Sequence, residues 1–120
     1  MTDLTNKVAI ITGATSGIGR TCCEVLSKAG AKIIATGRNE ERGTKTVENI
    51  KKSGGEAIFL KQDVCSEQDW KKCIELTKER FNGLDILINN AGAFFIKSIE
   101  DTTVKEFNSL VSTNVESVFL

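Results

Sequence analysis

The sequence predicts a doubly wound α/β fold around a parallel sheet, and three observations carry that reading. Short apolar runs alternate with longer amphipathic stretches along the chain, which implies successive right-handed βαβ units. A glycine-rich turn, Thr12-Gly13-Ala14-Thr15-Ser16-Gly17-Ile18-Gly19, stands between the first apolar run and the first amphipathic stretch. The residues that close the runs are Gly, Arg, Asn and Asp, and in such sheets ligands lie at the carboxyl ends of the strands.

Each element follows from the local pattern. Val8 to Thr12 reads as a buried strand. Residues 17–29 form a helix with Ile18, Cys22, Val25, Leu26 and Ala29 on its inner face, closed by Gly30. Lys32 to Thr36 is the second strand. Residues 40–53 make a polar helix with a thin apolar stripe, Val47 and Ile50, stopped at Gly54-Gly55. Ala57 to Lys61 is the third strand. Residues 67–81 form a helix with Trp70, Cys73, Ile74, Thr77 and Phe81 inward; Ser66 is its N-cap and Asn82-Gly83 its stop. Ile86 to Ile88 is the fourth strand, and a longer loop follows. A last helix starts near Thr103 with Phe107, Leu110, Val111, Val115 and Val118 on one face. It runs to Val118-Phe119-Leu120 with no stop signal, so the sheet is expected to be incomplete at its C-terminus.

Composition narrows the function. The 120 residues carry 16 basic and 16 acidic side chains, so no nucleic-acid footprint or polybasic membrane patch is expected. The apolar runs are too short to cross a bilayer, and the start has no signal-peptide core; a cytoplasmic protein is expected. There is no histidine, and the four cysteines, Cys22, Cys23, Cys65 and Cys73, form no Cys-x-x-Cys pair, so no metal site is expected. Cys22 and Cys73 fall on apolar stripes and read as reduced core residues.

The glycine turn is where chemistry is expected. Glycines let a backbone approach a ligand closely, and the helix that begins there aims unpaired N–H groups and its positive dipole end at an anion. The spacing is Gly-x-x-x-Gly-x-Gly, and no Gly-Lys-Ser/Thr follows, which excludes a Walker-type loop. After the second strand comes Gly37-Arg38-Asn39, with no acid before Glu40. A fold selecting NAD places a carboxylate there for the ribose 2′-hydroxyl; an arginine suits a 2′-phosphate, unless it is only a solvated surface residue. Asp63-Val64 after the third strand suits an adenine, or simply starts the turn into the next helix. Asn89-Asn90-Ala91-Gly92 closes the fourth strand. Asn114 stands on the apolar face of the last helix between Val111 and Val115, where a buried amide serves either a structural network or a site.

Taken together, Thr-Gly-x-x-x-Gly-Ile-Gly at residues 12–19, Asp63-Val64, Asn89-Asn90-Ala91-Gly92 and Thr113-Asn114-Val115 resemble the N-terminal half of a short-chain dehydrogenase/reductase. The resemblance covers essentially the whole chain. It implies a Rossmann-like dinucleotide-binding domain over residues 1–120. Gly13, Ser16, Gly17, Ile18 and Gly19 would wrap the pyrophosphate. Arg38 would meet the adenosine ribose or its 2′-phosphate, and Asp63 and Val64 would hold adenine. Asn90 and Gly92 would flank the cofactor, Asn89 would brace the sheet, and Asn114 would be the catalytic asparagine that supports a water in the proton relay.

The implied parent is an oxidoreductase that transfers a hydride between nicotinamide and an alcohol or ketone, a homo-oligomer using NADP in preference to NAD. Family members that prefer NADP often carry a basic residue before the second glycine; here that residue is Ser16, so the preference rests on Arg38. The family's Tyr-x-x-x-Lys pair is absent and the chain holds no tyrosine, so these 120 residues alone are expected to be inactive. The alternative is a non-catalytic NAD(P)-binding module or redox sensor, which a Tyr-x-x-x-Lys downstream of Leu120 would exclude. A methyltransferase on a similar sheet would want an acid where Arg38 stands.

Overall fold

The computed structural model describes residues 2–120. Four strands form one parallel sheet in the order β3-β2-β1-β4: β1 Val8–Ile11, β2 Lys32–Gly37, β3 Ala57–Lys61 and β4 Ile86–Ile88. The helices are α1 Gly17–Lys28, α2 Glu40–Lys52, α3 Glu67–Phe81 and α4 Val104–Val111. A π-helical turn, Ser112–Glu116, and a short α5, Ser117–Phe119, continue from α4.

The doubly wound expectation holds. Alternate residues of the strands feed two apolar layers, as a sheet covered on both faces requires. Ala9, Ile11, Ile33, Ala35 and Ala57 pack with Cys23 of α1 and with Val47 and Ile50 of α2. Ile10, Ile34, Ile58 and Leu60 pack on the other face with Cys73, Ile74 and Phe81 of α3. Burial pushes the Cys23 thiol up to about 12 and the Cys73 thiol to about 11, so both are neutral core groups.

Local signals set most boundaries. Ser66 accepts from the Asp69 N–H, and Asn82 closes α3 in the left-handed conformation at φ 62°. Thr103 and Glu106 form a reciprocal capping box at the start of α4.

Two expectations are corrected. On α1 the inward row is Gly19, Cys23 and Leu26, while Ile18 is 77% and Val25 58% exposed. The cause lies at Gly19: a Cβ there would stand 2.2 Å from the Gly13 carbonyl oxygen, so only the bare glycine can face the turn. The row at i, i+4 and i+7 from Gly19 then points inward, and the Ile18 row is carried aside. Cys22 remains half-buried at the margin of the core.

The second correction concerns the last helix. Its apolar stripe does not close on the sheet: Phe107, Val111, Val115 and Val118 are all exposed. The π-helical turn adds a residue to one turn and shifts the phase of the residues beyond it. Asn114 is exposed with the rest of this face, not buried among Val111 and Val115.

Candidate functional site

A cleft of about 720 Å³ opens over the carboxyl edge of the sheet. It is lined by Gly13, Ser16, Gly17 and Ile18 after β1, Arg38 after β2, Asp63 and Val64 after β3, and Asn90 and Gly92 after β4. The four strand ends singled out in the sequence therefore meet in one place. Gly19 lies beneath the turn, buried, and Asn114 sits one residue beyond the lining residue Thr113.

The turn after β1 is braced from β4. The Asn90 side-chain nitrogen donates to the carbonyls of Thr12 and Gly13, both at 3.1 Å. The Thr12 hydroxyl accepts from the Asn90 and Ala91 N–H groups. Asn90 is thus the brace that the resemblance assigns to Asn89, although it also lines the cleft. Asn89 lies elsewhere, in a groove with Trp70, Ile74 and Leu87. Asn90 thus holds both its expected place in the cleft and the brace, while Asn89 leaves the strand on the opposite face and takes neither.

The start of α1 is bare. Ser16 holds the N-cap position in extended backbone, but its side chain makes no capping bond, and no acid lies in the first turn. Gly17 has φ +54°, and nothing lies within 4 Å of where its Cβ would be. Unpaired N–H groups at a helix start beside open space are suited to receiving an anion.

At the other end, Arg38 is exposed beside Asn39, which caps α2 through the Arg42 N–H. The Asp63 carboxylate accepts from the Cys65 N–H, and Asp63 donates its own N–H to Asp69. The Val64 carbonyl accepts from the Trp70 indole. Asp63 thus does start the turn into α3, and the same residues wall the cleft.

Asn114 clamps the loop after β4. Its oxygen accepts from the Ala93 N–H at 2.9 Å, and its nitrogen donates to the Ala93 carbonyl at 2.7 Å. Both ends of the amide are used on one backbone residue.

Two polar residues escaped the sequence reading. Gln62, 2% exposed, lines the cleft, and neither end of its amide finds a partner; the Thr36 hydroxyl is equally buried and unpaired. Their signal was present as polar residues at the ends of otherwise apolar strands. The parallel register puts them on one face of neighbouring strands.

Fold and site together define a Rossmann-like parallel α/β protein with a bare helix start at its cleft. The chain belongs to the short-chain dehydrogenase family, whose model matches residues 7–120. It is 40% identical over 121 residues to an NADP-dependent (R)-specific alcohol dehydrogenase of Lentilactobacillus kefiri, covering 99% of this chain and 47% of that one. It is 37% identical over 115 residues to a cyclopentanol dehydrogenase of Comamonas testosteroni, covering 96% and 46%. Its backbone matches a doubly substituted Serratia marcescens short-chain dehydrogenase/reductase with TM-score 0.92 at 27% identity, covering 97% and 48%. The chain spans about half the length of the curated relatives it matches. Among the described residues, no helix is long and apolar enough to cross a membrane.

Proposed function

We propose that this chain is the cofactor-binding half of an NAD(P)-dependent oxidoreductase with NADP(H) preferred, acting on a small alcohol or the corresponding ketone. The observation that carries the reading is the bare start of α1 at Gly17, opening on a cleft in which β2 leads through Gly37-Arg38-Asn39 with no acid before Glu40. These residues fit a dinucleotide phosphate. Gly13, Ser16, Gly17, Ile18 and Gly19 form the turn around the pyrophosphate, and Arg38 pairs with the 2′-phosphate. Asp63 and Val64 hold the adenine, and Gly92 flanks the cofactor beside Asn90.

When bound, the nicotinamide ring supplies the carbon that gives or takes the hydride. Asn114 acts on the proton path. Its amide is spent on Ala93, so in this reading a main-chain carbonyl of the helix holds the relay water. The relatives named as alcohol dehydrogenases support the substrate class. The parent is a cytoplasmic homo-oligomer in this reading, and the uncovered stripe of Phe107, Val111, Val115 and Val118 supplies apolar surface for packing. The 120 residues alone turn nothing over.

The test is turnover with NADPH and NADH across a panel of small ketones, using the full reading frame that carries this chain. Activity with NADPH at least tenfold above NADH is expected. Tight cofactor binding with no turnover of any ketone or alcohol would favour a non-catalytic sensor.

A further inference from the structure

The ends of β2 and β3 carry two buried polar side chains that the rest of the chain leaves unanswered. Side chains alternate along a strand, and the register sets Thr36 beside Leu60. Ile34 and Thr36 on β2, and Ile58, Leu60 and Gln62 along β3, therefore share one face of the sheet. The earlier members of both rows are apolar and pack toward α3. The last members are polar and still buried, Thr36 at 0% and Gln62 at 2% exposure. The Thr36 hydroxyl and both ends of the Gln62 amide have no hydrogen-bond partner in the chain.

The neighbouring polar groups are committed elsewhere. Thr12 follows β1 beside Thr36. Its hydroxyl accepts from the Asn90 and Ala91 N–H groups and turns its own hydrogen to the Ile88 carbonyl. The Trp70 indole is spent on the Val64 carbonyl. The Gln62 N–H donates to the Gly37 carbonyl at 2.9 Å. That bond stands at the mouth of the sheet: Arg38 follows it on one segment and Asp63 on the other, and both line the cleft.

A buried hydroxyl and amide without partners cost stability that two apolar side chains of similar shape would not. Groups of this kind in protein interiors are commonly satisfied by an ordered water with two or more polar partners. Gln62 stands in the wall of the cleft, which gives such a water a way in.

We propose that Thr36 and Gln62 hold one internal water that bridges the ends of β2 and β3, and that this bridge makes both of them positioning residues for the adenosine half of the dinucleotide. The inference rests on the oxidoreductase reading of the cleft. The water accepts from the Thr36 hydroxyl and shares a hydrogen bond with the Gln62 amide. Tied in this way, the two strand ends keep Arg38 and Asp63 at a fixed separation, and supporting bonds of this kind hold a binding group in its productive geometry.

The experiment uses the full protein and its Thr36→Val, Gln62→Met, doubly substituted and Thr36→Ser variants. Adenosine 2′,5′-bisphosphate, which carries only the adenosine end of the cofactor, is titrated by displacement of fluorescent NADPH. Melting temperatures are measured on the same preparations. Each of Thr36→Val and Gln62→Met should lower the melting temperature, because it leaves the other side chain short of a partner. The double variant should melt at or above the parent and yet bind the bisphosphate about tenfold more weakly. Thr36→Ser keeps the hydroxyl and should keep the parent affinity. A crystal structure of the parent with the bisphosphate should show one water within hydrogen-bond distance of both Thr36 Oγ1 and the Gln62 amide. Parent affinity in the double variant would overturn the inference and leave the oxidoreductase reading standing. Affinity that merely follows the melting temperature across the series would overturn it as well, and would make the pair structural. So would a crystal structure with the Gln62 amide turned onto the adenine or bonded directly to Thr36. Failure of the parent protein to bind either NADPH or the bisphosphate would overturn both readings.

Discussion

The start of α1 and the starts of α2, α3 and α4 are built from the same kind of backbone and finished in opposite ways. Asn39, Ser66 and Thr103 each turn a side chain onto an N–H of the adjoining helix. Ser16 has the right residue type in the same position and makes no such bond. The acids show the same division: α2, α3 and α4 carry Glu or Asp in the first turn, and α1 carries none. A capping side chain takes one of the free N–H groups, and acids in the first turn repel an anion, so a capped, acidic helix start is poorly suited to an anionic ligand. The bare helix is the one whose start lines the cleft, which supports the proposal that an anion is received there.

The largest expected effect concerns the other irregular helical segment, the π-helical turn. In the full protein, Asn114→Leu should lower kcat about 10²–10⁴-fold, the usual worth of a group in a proton path. NADPH affinity should change little, because Asn114 is not among the residues that line the cleft. The exposed Ala93 groups can turn to water, so the melting temperature should fall modestly at most. Steady-state kinetics and thermal unfolding on one preparation check this. Marked destabilisation with turnover per folded molecule preserved would make the asparagine purely structural.

Charge at the adenosine end comes next. Replacing Arg38 by Asp should reverse cofactor choice, because a charge-assisted pair contributes about 1.5–3 kcal/mol, or roughly ten- to a hundredfold in affinity. Titration of both reduced cofactors against parent and variant reads this directly.

Two glycines sharpen the contrast at the bare start. Gly19→Ala drives a Cβ to 2.2 Å from the Gly13 carbonyl oxygen and 2.5 Å from the Asn90 side-chain nitrogen. Overpacking of this kind costs about 1–3 kcal/mol, so the fold should lose stability before anything else. Gly17→Ala meets open space and suffers only its left-handed backbone, at about 1–2 kcal/mol. Its added methyl group stands where a phosphate would approach, so NADPH affinity should fall by more than its stability explains. Chemical denaturation and cofactor titration of the two variants should give opposite signatures.

The smallest effect isolates the caps themselves. Ser66→Ala should destabilise the protein by about 1 kcal/mol. Ser16→Ala removes no capping bond and should stay within about 0.5 kcal/mol of the parent. Equal losses in urea denaturation would mean that Ser16 caps α1 after all.

The features legible in the sequence were local. Ser66, Asn82 and Thr103 announced their helix ends because a cap depends on a few neighbouring residues. The strands announced themselves as apolar runs, and the ligand edge followed from their common direction. The features that stayed hidden depended on residues far apart in the chain. The rotation of α1 is set by Gly19 fitting against Gly13 and Asn90, and the 3.6-residue periodicity allowed both the Ile18 row and the Gly19 row. The exposure of Phe107, Val111, Val115 and Val118 was hidden as well, because regular apolar spacing does not say whether anything packs against the stripe. The assignment of the brace to Asn90 rather than Asn89 turned on one step along a strand, and a motif that contains both residues cannot distinguish them. Gln62 went unnoticed because a single amide after an apolar run resembles an ordinary strand end.

The central claim is that the bare start of α1 and Arg38 together receive a dinucleotide 2′-phosphate and pyrophosphate. Equilibrium titration of the full protein with NADPH and NADH, monitored by nicotinamide fluorescence, tests it most directly. The account predicts saturable binding of both, with NADPH about ten- to a hundredfold tighter. Absence of saturable binding for either cofactor would contradict it.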